Sequence, residues 1–209
     1  MIESLFAIQD SNSGVPQNSR EILINLYPEM ELSGKSKLVR RQRPGLSLTR
    51  EQFGIKRGIE KFTHGHYIVI RDVAYKFDGT TLTQLGFLNT NIGPVTMITD
   101  DNDNVYISDG VEGYHYNAAT FLFTIVATPT DVGTCATQGG FGIYAVPGSG
   151  QFQVSALNDY TTWDALDFAT AEGSPDPIVR VFVDHNEIWF LGSETIEVWR
   201  NVGAQDFPF

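Results

Sequence analysis

The sequence predicts an all-β, propeller-like fold of about three and a half blades, preceded by an extended N-terminal arm. Three observations carry that prediction. Short strand-forming runs recur from residue 64 onward, a turn motif returns at a nearly constant interval, and residues 1–61 contain no copy of it. Phe77-Asp78-Gly79-Thr80-Thr81-Leu82 aligns with Tyr116-Asn117-Ala118-Ala119-Thr120-Phe121, and then with Leu157 to Trp163 after one slipped residue. Trp199-Arg200-Asn201 opens a fourth copy. Taking Asp78, Asn117, Asp159 and Asn201 as markers gives spacings of 39, 42 and 42. A period of about 40–45 residues made of strands and turns is that of one propeller blade. The fourth copy is incomplete, so a partial or truncated propeller is expected.

Residues 1–20 are polar and aperiodic and read as an arm or loop. Glu21 to Tyr27 is a short strand-like run expected to end at Pro28. Glu31 to Arg43 reads as a polar, basic connection closed by a turn at Arg43-Pro44-Gly45-Leu46. These residues, 1–61, are expected to form an arm that wraps or reaches outward and contributes a strand to the propeller of residues 62–209. From His64 the pattern is regular. Tyr67–Ile70 and Val73–Phe77 are strands around a tight turn at Arg71-Asp72, and Asp78-Gly79 is a strong turn signal. Val95–Thr99, Asn104–Ile107, Gly113–Tyr116 and Phe121–Val126 place four strands in 32 residues, the strand series of one blade. The third unit offers Phe141–Val146 and Phe152–Ser155; the fourth offers Ile178–Val183, Glu187–Leu191 and Thr195–Trp199. Trp163–Ala169 reads as a single helical turn. The markers recur because Asp, Asn and Gly suit short turns, and an aromatic beside each turn can cover the seam between blades.

Composition narrows the function classes. The chain has 209 residues, 42% apolar and 12% aromatic, which is ample for a core. It has no run of about 18 apolar residues to span a membrane and no basic, apolar leader at its N-terminus. The lone Cys135 reads as a small buried thiol, and folding in a reducing cytoplasm is expected. The net charge of −11 is divided sharply. Residues 1–61 hold ten of the fourteen Lys and Arg against seven of the 25 acids, a net of +3; residues 62–209 hold the other four and eighteen, a net of −14. Such a repeat region disfavours binding to phosphate. Lys35, Lys37, Arg40, Arg41 and Arg43 form a basic cluster suited to an acidic protein partner.

No catalytic or metal site is predicted. Asp100 to Asn104 is rich in carboxylates, but a calcium loop needs Gly sixth and Glu twelfth, where this chain has Val105 and Val111. A hairpin turn explains the run. His64 and His66 would share one face of a strand but lack a third ligand. His115 sits between tyrosines and His185 in a turn, neither beside a triad partner. Ala156 to Trp163 is a degenerate version of the sialidase blade turn, and the repeat region holds only Arg71, Arg180 and Arg200, none in the local context of that family's carboxylate clamp. This leaves a carbohydrate-binding or sugar-hydrolysing propeller, supported by the Trp and Tyr complement, as the alternative reading.

A stronger resemblance lies in a series of short segments. Asn25-Leu26-Tyr27-Pro28-Glu29, Arg43-Pro44-Gly45-Leu46, Gly93-Pro94-Val95, Gly148-Ser149-Gly150-Gln151-Phe152 and Ser155-Ala156-Leu157 come first. The run from Trp163 to Asp176 follows, with Asp164, Asp167, Phe168 and Glu172 inside it. Glu187-Ile188-Trp189, Glu197-Val198-Trp199 and Phe207-Pro208-Phe209 complete the series. Together they resemble the packaged-DNA stabilisation, or tail accessory, proteins of short-tailed phages, which act as head-completion hubs. The resemblance implies a virion protein of the head–tail junction, made in the host cytoplasm, without catalytic residues or cofactors. It implies a homo-oligomeric ring, expected to be a hexamer, touching portal or adaptor rings and tail needle or fibre proteins. Duplex DNA would pass nearby without tight binding. Members of that family generally extend further, so the chain is expected to be an N-terminal part or an abbreviated relative.

Overall fold

The computed structural model describes residues 26–30, 38–42, 52–171, 173, 176–204 and 207–209. The chain divides into two compact units, Met1–Glu51 and Gln52–Phe209. In the first unit, β1 (Leu26–Met30) pairs antiparallel with β2 (Leu38–Gln42), setting Pro28 opposite Arg40 and Tyr27 opposite Arg41. Pro28 therefore lies inside a strand instead of ending one, and the second half of the expected basic connection is also a strand. A two-stranded sheet leaves an unpaired edge on each strand, which is where proline is tolerated. The run Glu21–Asn25, residues 1–20 and the turn at Arg43–Leu46 lie outside the described residues.

The second unit is a series of antiparallel meanders with no helix among the described residues. The first sheet is β3 (Lys56–Phe62), β4 (Gly65–Ile70), β5 (Val73–Phe77) and β6 (Leu82–Phe87). The second is β7 (Thr96–Thr99), β8 (Val105–Ser108), β9 (Gly113–Tyr116) and β10 (Phe123–Val126). The third is β11 (Cys135–Gln138), β12 (Phe141–Ala145), β13 (Gln151–Ala156) and β14 (Asp159–Thr170). The fourth has three strands, β15 (Ile178–Asp184), β16 (Glu187–Gly192) and β17 (Ile196–Arg200). The first strands touch in series, β3 to β7 to β11 to β15, so they form the inside of the arc and each sheet fans outward. The charge boundary at residues 61/62 cuts through β3, the innermost strand of the first sheet.

Trp163–Ala169 is not a helical turn. It belongs to β14, whose twelve residues pair with β13 across register shifts around Ser155. Bulges bend the strand and locally change which side chains face inward, which blurs its period-2 pattern and lets Trp-Asp-Ala-Leu-Asp-Phe pass for a helix.

All four markers follow the third strand of their sheet and act through side-chain oxygens. Asp78 Oδ1 accepts the Thr80 and Thr81 amides, and Asn117 Oδ1 those of Ala119 and Thr120. Asp159 Oδ1 accepts the Thr161 amide and Asn201 Oδ1 the Gly203 amide. The left-handed backbone falls on neighbours, Gly79, Phe121, Asn158 and Gly203, rather than on the markers. The repeat is thus a set of Asx turns.

Burial follows the same order. The first core cluster joins sheets one and two (Tyr67, Val69, Val105, Ile107, Tyr114), the second joins two and three (Ile98, Tyr106, Tyr144, Trp163), and the third joins three and four (Ile143, Phe152, Val181, Ile188, Phe190). Successive strand residues point to opposite faces. In β8, Val105 and Ile107 therefore pack on the first sheet while Tyr106 packs on the third. Tyr116, Tyr160 and Trp199, beside three of the markers, lie in these seams; Phe77, beside the other, lies on the far face of the first sheet. Gly86 allows a close approach between sheets: a Cβ there would run into the Phe123 ring of the second sheet.

Candidate functional site

The most elaborate polar arrangement joins the first two sheets. Arg57, buried at the start of β3, donates to the carbonyl oxygens of Gly93 (2.8 Å), Arg71 (2.8 Å) and Thr90 (2.7 Å), and to Thr90 Oγ1 (2.7 Å). Thr90 Oγ1 in turn donates to Asp109 Oδ2 at 2.6 Å. Asp109 Oδ1 accepts the Val111 and Glu112 amides. The Tyr114 hydroxyl accepts the Asn89 amide and faces both Glu112 and Asp109. Burial lowers the Arg57 pKa against the attraction of Asp109, and burial raises that of Tyr114. A buried guanidinium spending its donors on carbonyls is a structural clamp.

Among the described residues, two cavities elsewhere are of note. One of about 270 Å³ opens where the inner strands begin, lined by Thr96, Ser108, Thr134, Ile178 and Arg180 among others. Its lining contains no carboxylate. Thr96 Oγ1 is already engaged by the Cys135 amide and thiol, and Ser108 Oγ by the Val132 and Gly133 carbonyls. The other, about 520 Å³, lies between the third and fourth sheets and is lined by Gln138, His185, Glu187, Arg200 and Asn201. Its one carboxylate, Glu187, is held by Arg200 at 2.6 Å. Glycoside hydrolysis ordinarily requires two carboxyl groups on either side of the scissile bond, and neither cavity offers them. Arg180 and Arg200 line different cavities. Contrary to the exposed platform that sugar binding would use, Tyr67, Tyr106, Tyr114, Tyr144, Tyr160 and Trp163 are buried in seams.

The residues singled out from sequence fall as follows. Lys35, Lys37 and Arg43 lie outside the described residues; Arg40 and Arg41 are in β2. Trp163 is 8% exposed, donates from Nε1 to the Tyr160 carbonyl at 2.9 Å, and packs on Tyr144 (ring centroids 4.7 Å) and Tyr106 (5.7 Å). Asp164 accepts the Leu166 amide, and Phe168 is exposed. Asp167 has its pKa raised by burial and by Asp164. Asp176 accepts the Glu194 and Thr195 amides and the Thr195 hydroxyl, fixing the β16–β17 turn. Gly192 makes room for that carboxylate, which a Cβ would meet. Glu172 lies outside the described residues. The landmark segment is therefore a seam anchor and a turn lock.

Asp100 to Asn104 is the β7–β8 turn, where Asp100 accepts the Asn102 and Asn104 amides. His64 lies in the β3–β4 turn and contacts Asp103 at 2.8 Å, while His66 lies in β4 beside Phe77. Among the described residues no three His, Cys, Asp or Glu come together to hold a metal. Cys135 is buried, and burial pushes its pKa up to about 12. Sequence reasoning missed Arg57, Asp109 and Tyr114, which sit at strand ends with no local motif.

Comparison with known proteins decides the lineage. The model of a phage-stabilisation family described as Bacteriophage P22 Gp10, beta-propeller, matches residues 12–209. The chain belongs to that family. Its members are phage structural, DNA-stabilising proteins, so the chain is a phage structural protein with a propeller fold. A search of curated proteins found no match. Among solved structures, the chain is similar to the computationally designed Ika4 protein (TM-score 0.53, 13% identity, 74% of this chain and 95% of that one). It is also similar to the designed Ika8 protein (0.54, 14%, 86% and 57%). A third match is the extracellular domain of the putative one component system BT4673 from B. thetaiotaomicron (0.55, 16%, 70% and 20%). The chain thus spans about half of the second and a fifth of the third. At these identities the likeness is one of fold alone. No helix among the described residues is long and apolar enough to cross a membrane.

Proposed function

We propose that the chain is a non-enzymatic part of the tail at the head–tail junction, a hub ring that closes the portal channel and keeps packaged DNA in the capsid. Membership of the phage-stabilisation family over residues 12–209 is the observation that carries this reading. The charge distribution supports the mechanism. Residues 62–209 carry eighteen carboxylates and four cations, so phosphate approaching within a Debye length of roughly 8–10 Å is repelled. A protein that gripped the genome would resist ejection, whereas one that plugs the channel need not bind it. The DNA passes close by without tight binding.

The basic segment has a separate role. Lys35, Lys37, Arg40, Arg41 and Arg43 face an acidic surface of a neighbouring portal or adaptor ring. Each exposed pair contributes little, but a ring repeats the contact in every subunit. Tail needle or fibre proteins are the further partners of the hub, and the ring is a hexamer. The test is DNA affinity of the purified protein across a salt series. The mechanism expects no binding in the micromolar range at physiological salt; tight, salt-dependent binding would contradict it.

A further inference from the structure

The turns joining the first and second strands of successive sheets face each other across the seams, and they are filled differently. Between the first and second sheets, the β3–β4 turn reaches the β7–β8 turn through His64 and Asp103 at 2.8 Å. At the corresponding place between the third and fourth sheets, the β11–β12 turn is Gly139-Gly140 and carries no side chain to meet His185-Asn186 of the β15–β16 turn. The cavity of about 520 Å³ lies there, within the roughly 300–1,000 Å³ of ligand sites. Both glycines have left-handed backbone. A Cβ on Gly139 would meet Asn201 Nδ2 at 3.0 Å, and one on Gly140 would run into Asn158 Oδ1. The turn itself therefore builds the gap, and side chains of both sheets bound it.

One side chain in this cavity lacks what its burial demands. Ala136 packs in the cluster that joins the third and fourth sheets, and Gln138, two residues on in β11, points to the same face. Gln138 is 7% exposed and lines the cavity, and its carboxamide has no hydrogen-bond partner among the described residues. Buried polar groups are almost always paired, and an unpaired one is destabilising. The rest of the lining says what would pair with it. Glu187 and Arg200 neutralise each other at 2.6 Å, so the cavity offers neither a spare cation for phosphate or carboxylate nor a spare anion for an ammonium group. Asn201 spends Oδ1 on the Gly203 amide and keeps Nδ2 over the diglycine turn, and Asn186 adds a third carboxamide. Among the described residues no Trp, Tyr or Phe lines the cavity, so a sugar ring finds no face to stack on. A carboxamide presents an N–H donor and a C=O acceptor side by side, the complement of a peptide group.

We propose that this cavity is a peptide-binding site. It takes an extended, uncharged segment of a partner polypeptide, whose main-chain N–H and C=O pair with the Gln138 carboxamide while Asn201 Nδ2 donates to a neighbouring carbonyl. The diglycine turn admits that segment, because bare backbone lets another backbone come close. A buried carboxamide kept unpaired at a cost in stability fits a site that trades stability for binding. The site requires neither the ring nor the channel closure proposed above.

Nuclear magnetic resonance of the isotope-labelled full chain tests this, following the side-chain amide signals of Gln138 and Asn201. The probe is a pool of blocked tripeptides, acetyl-Gly-X-Gly-amide, with X each of the uncharged residues. Both signals are expected to move and saturate as the pool is added, while signals from the first sheet stay in place. Gln138→Leu keeps the size and removes the amide. It should weaken binding about 10-fold, the scale of one net hydrogen bond, and leave resistance to urea unchanged or higher, since no unpaired polar group stays buried. Asn186→Trp, in an exposed turn where folding is expected to survive, should block binding by filling the cavity. No movement with the peptide pool would overturn the site and leave the cavity to water. Movement with N-acetylglucosamine or maltose and not with peptides would overturn it in favour of a sugar. Peptide binding unchanged in either variant, or a loss of stability in Gln138→Leu, would equally overturn it, making Gln138 a packing residue.

Discussion

Replacing Trp163 with alanine removes the side chain that fills the seam between the second and third sheets. It is 8% exposed, with Tyr144 and Tyr106 centroids 4.7 and 5.7 Å away, and its indole N–H is satisfied by the Tyr160 carbonyl. Truncating a buried tryptophan costs about 3–5 kcal/mol, from lost burial and the cavity left behind. Because two aromatic partners lose their packing together, the upper half of that range is expected, about 4 kcal/mol. Trp163→Phe keeps most of the ring area and loses the hydrogen bond, at about 1–2 kcal/mol. Urea unfolding followed by far-ultraviolet circular dichroism measures both. Seams in a repeat fold couple mainly to their neighbours. The alanine variant should therefore also show a separate early transition, reporting loss of the third and fourth sheets from the first two. A loss below about 1 kcal/mol for Trp163→Ala would refute the assignment of this residue as the seam anchor.

Arg57→Met leaves three carbonyls and the Asp109 carboxylate without their cation, and should cost about 3–5 kcal/mol in urea unfolding. Asp109→Asn in the same background should cost less than it does alone, because the pair is coupled. Burial holds the His115 pKa below its ordinary value, opposed by Asp100 and Asp159. The unfolded state then binds more protons just below pH 6.5, so stability falls as pH drops through that value. Unfolding at pH 7.5 and 5.5 should show this loss in wild type and not in His115→Gln. Asp78 and Asp176, with pKa lowered by backbone and threonine hydrogen bonds, lose their contributions only at more acidic pH. Replacing Lys35, Lys37, Arg40, Arg41 and Arg43 together by Gln should weaken incorporation into virions in a salt-sensitive manner, the difference from wild type shrinking as salt rises. Unchanged incorporation would remove the basic segment from the assembly contact.

Much of the architecture was legible because a propeller repeats its punctuation. Asp78, Asn117, Asp159 and Asn201 each need an acceptor side chain to close a turn, and that requirement writes itself into the sequence at a fixed interval. Alternation was legible for the same local reason in Tyr67–Ile70, Val105–Ile107 and Val181–Phe190. Strands built from polar or small residues were not. Lys56–Phe62, Leu82–Phe87 and Cys135–Gln138 take their place from pairing with a neighbour, a tertiary effect that propensity does not carry. Trp163–Ala169 was misread because the register shifts opposite Ser155 disturb its period. The Arg57–Asp109 clamp was invisible, since its members come from a strand start, a loop and a strand end, 52 residues apart at the extreme. The landmark run from Trp163 to Asp176 was recognisable as a pattern, but its work in the seam and the β16–β17 turn emerges only from the fold.

The most direct test of the central claim is DNA retention in phage particles that lack this protein. Heads assembled without it are expected to fill with a full genome and then lose it, leaving DNA open to nuclease, while supplying the protein restores protection. Stable, nuclease-resistant, DNA-filled particles formed without it would contradict the account.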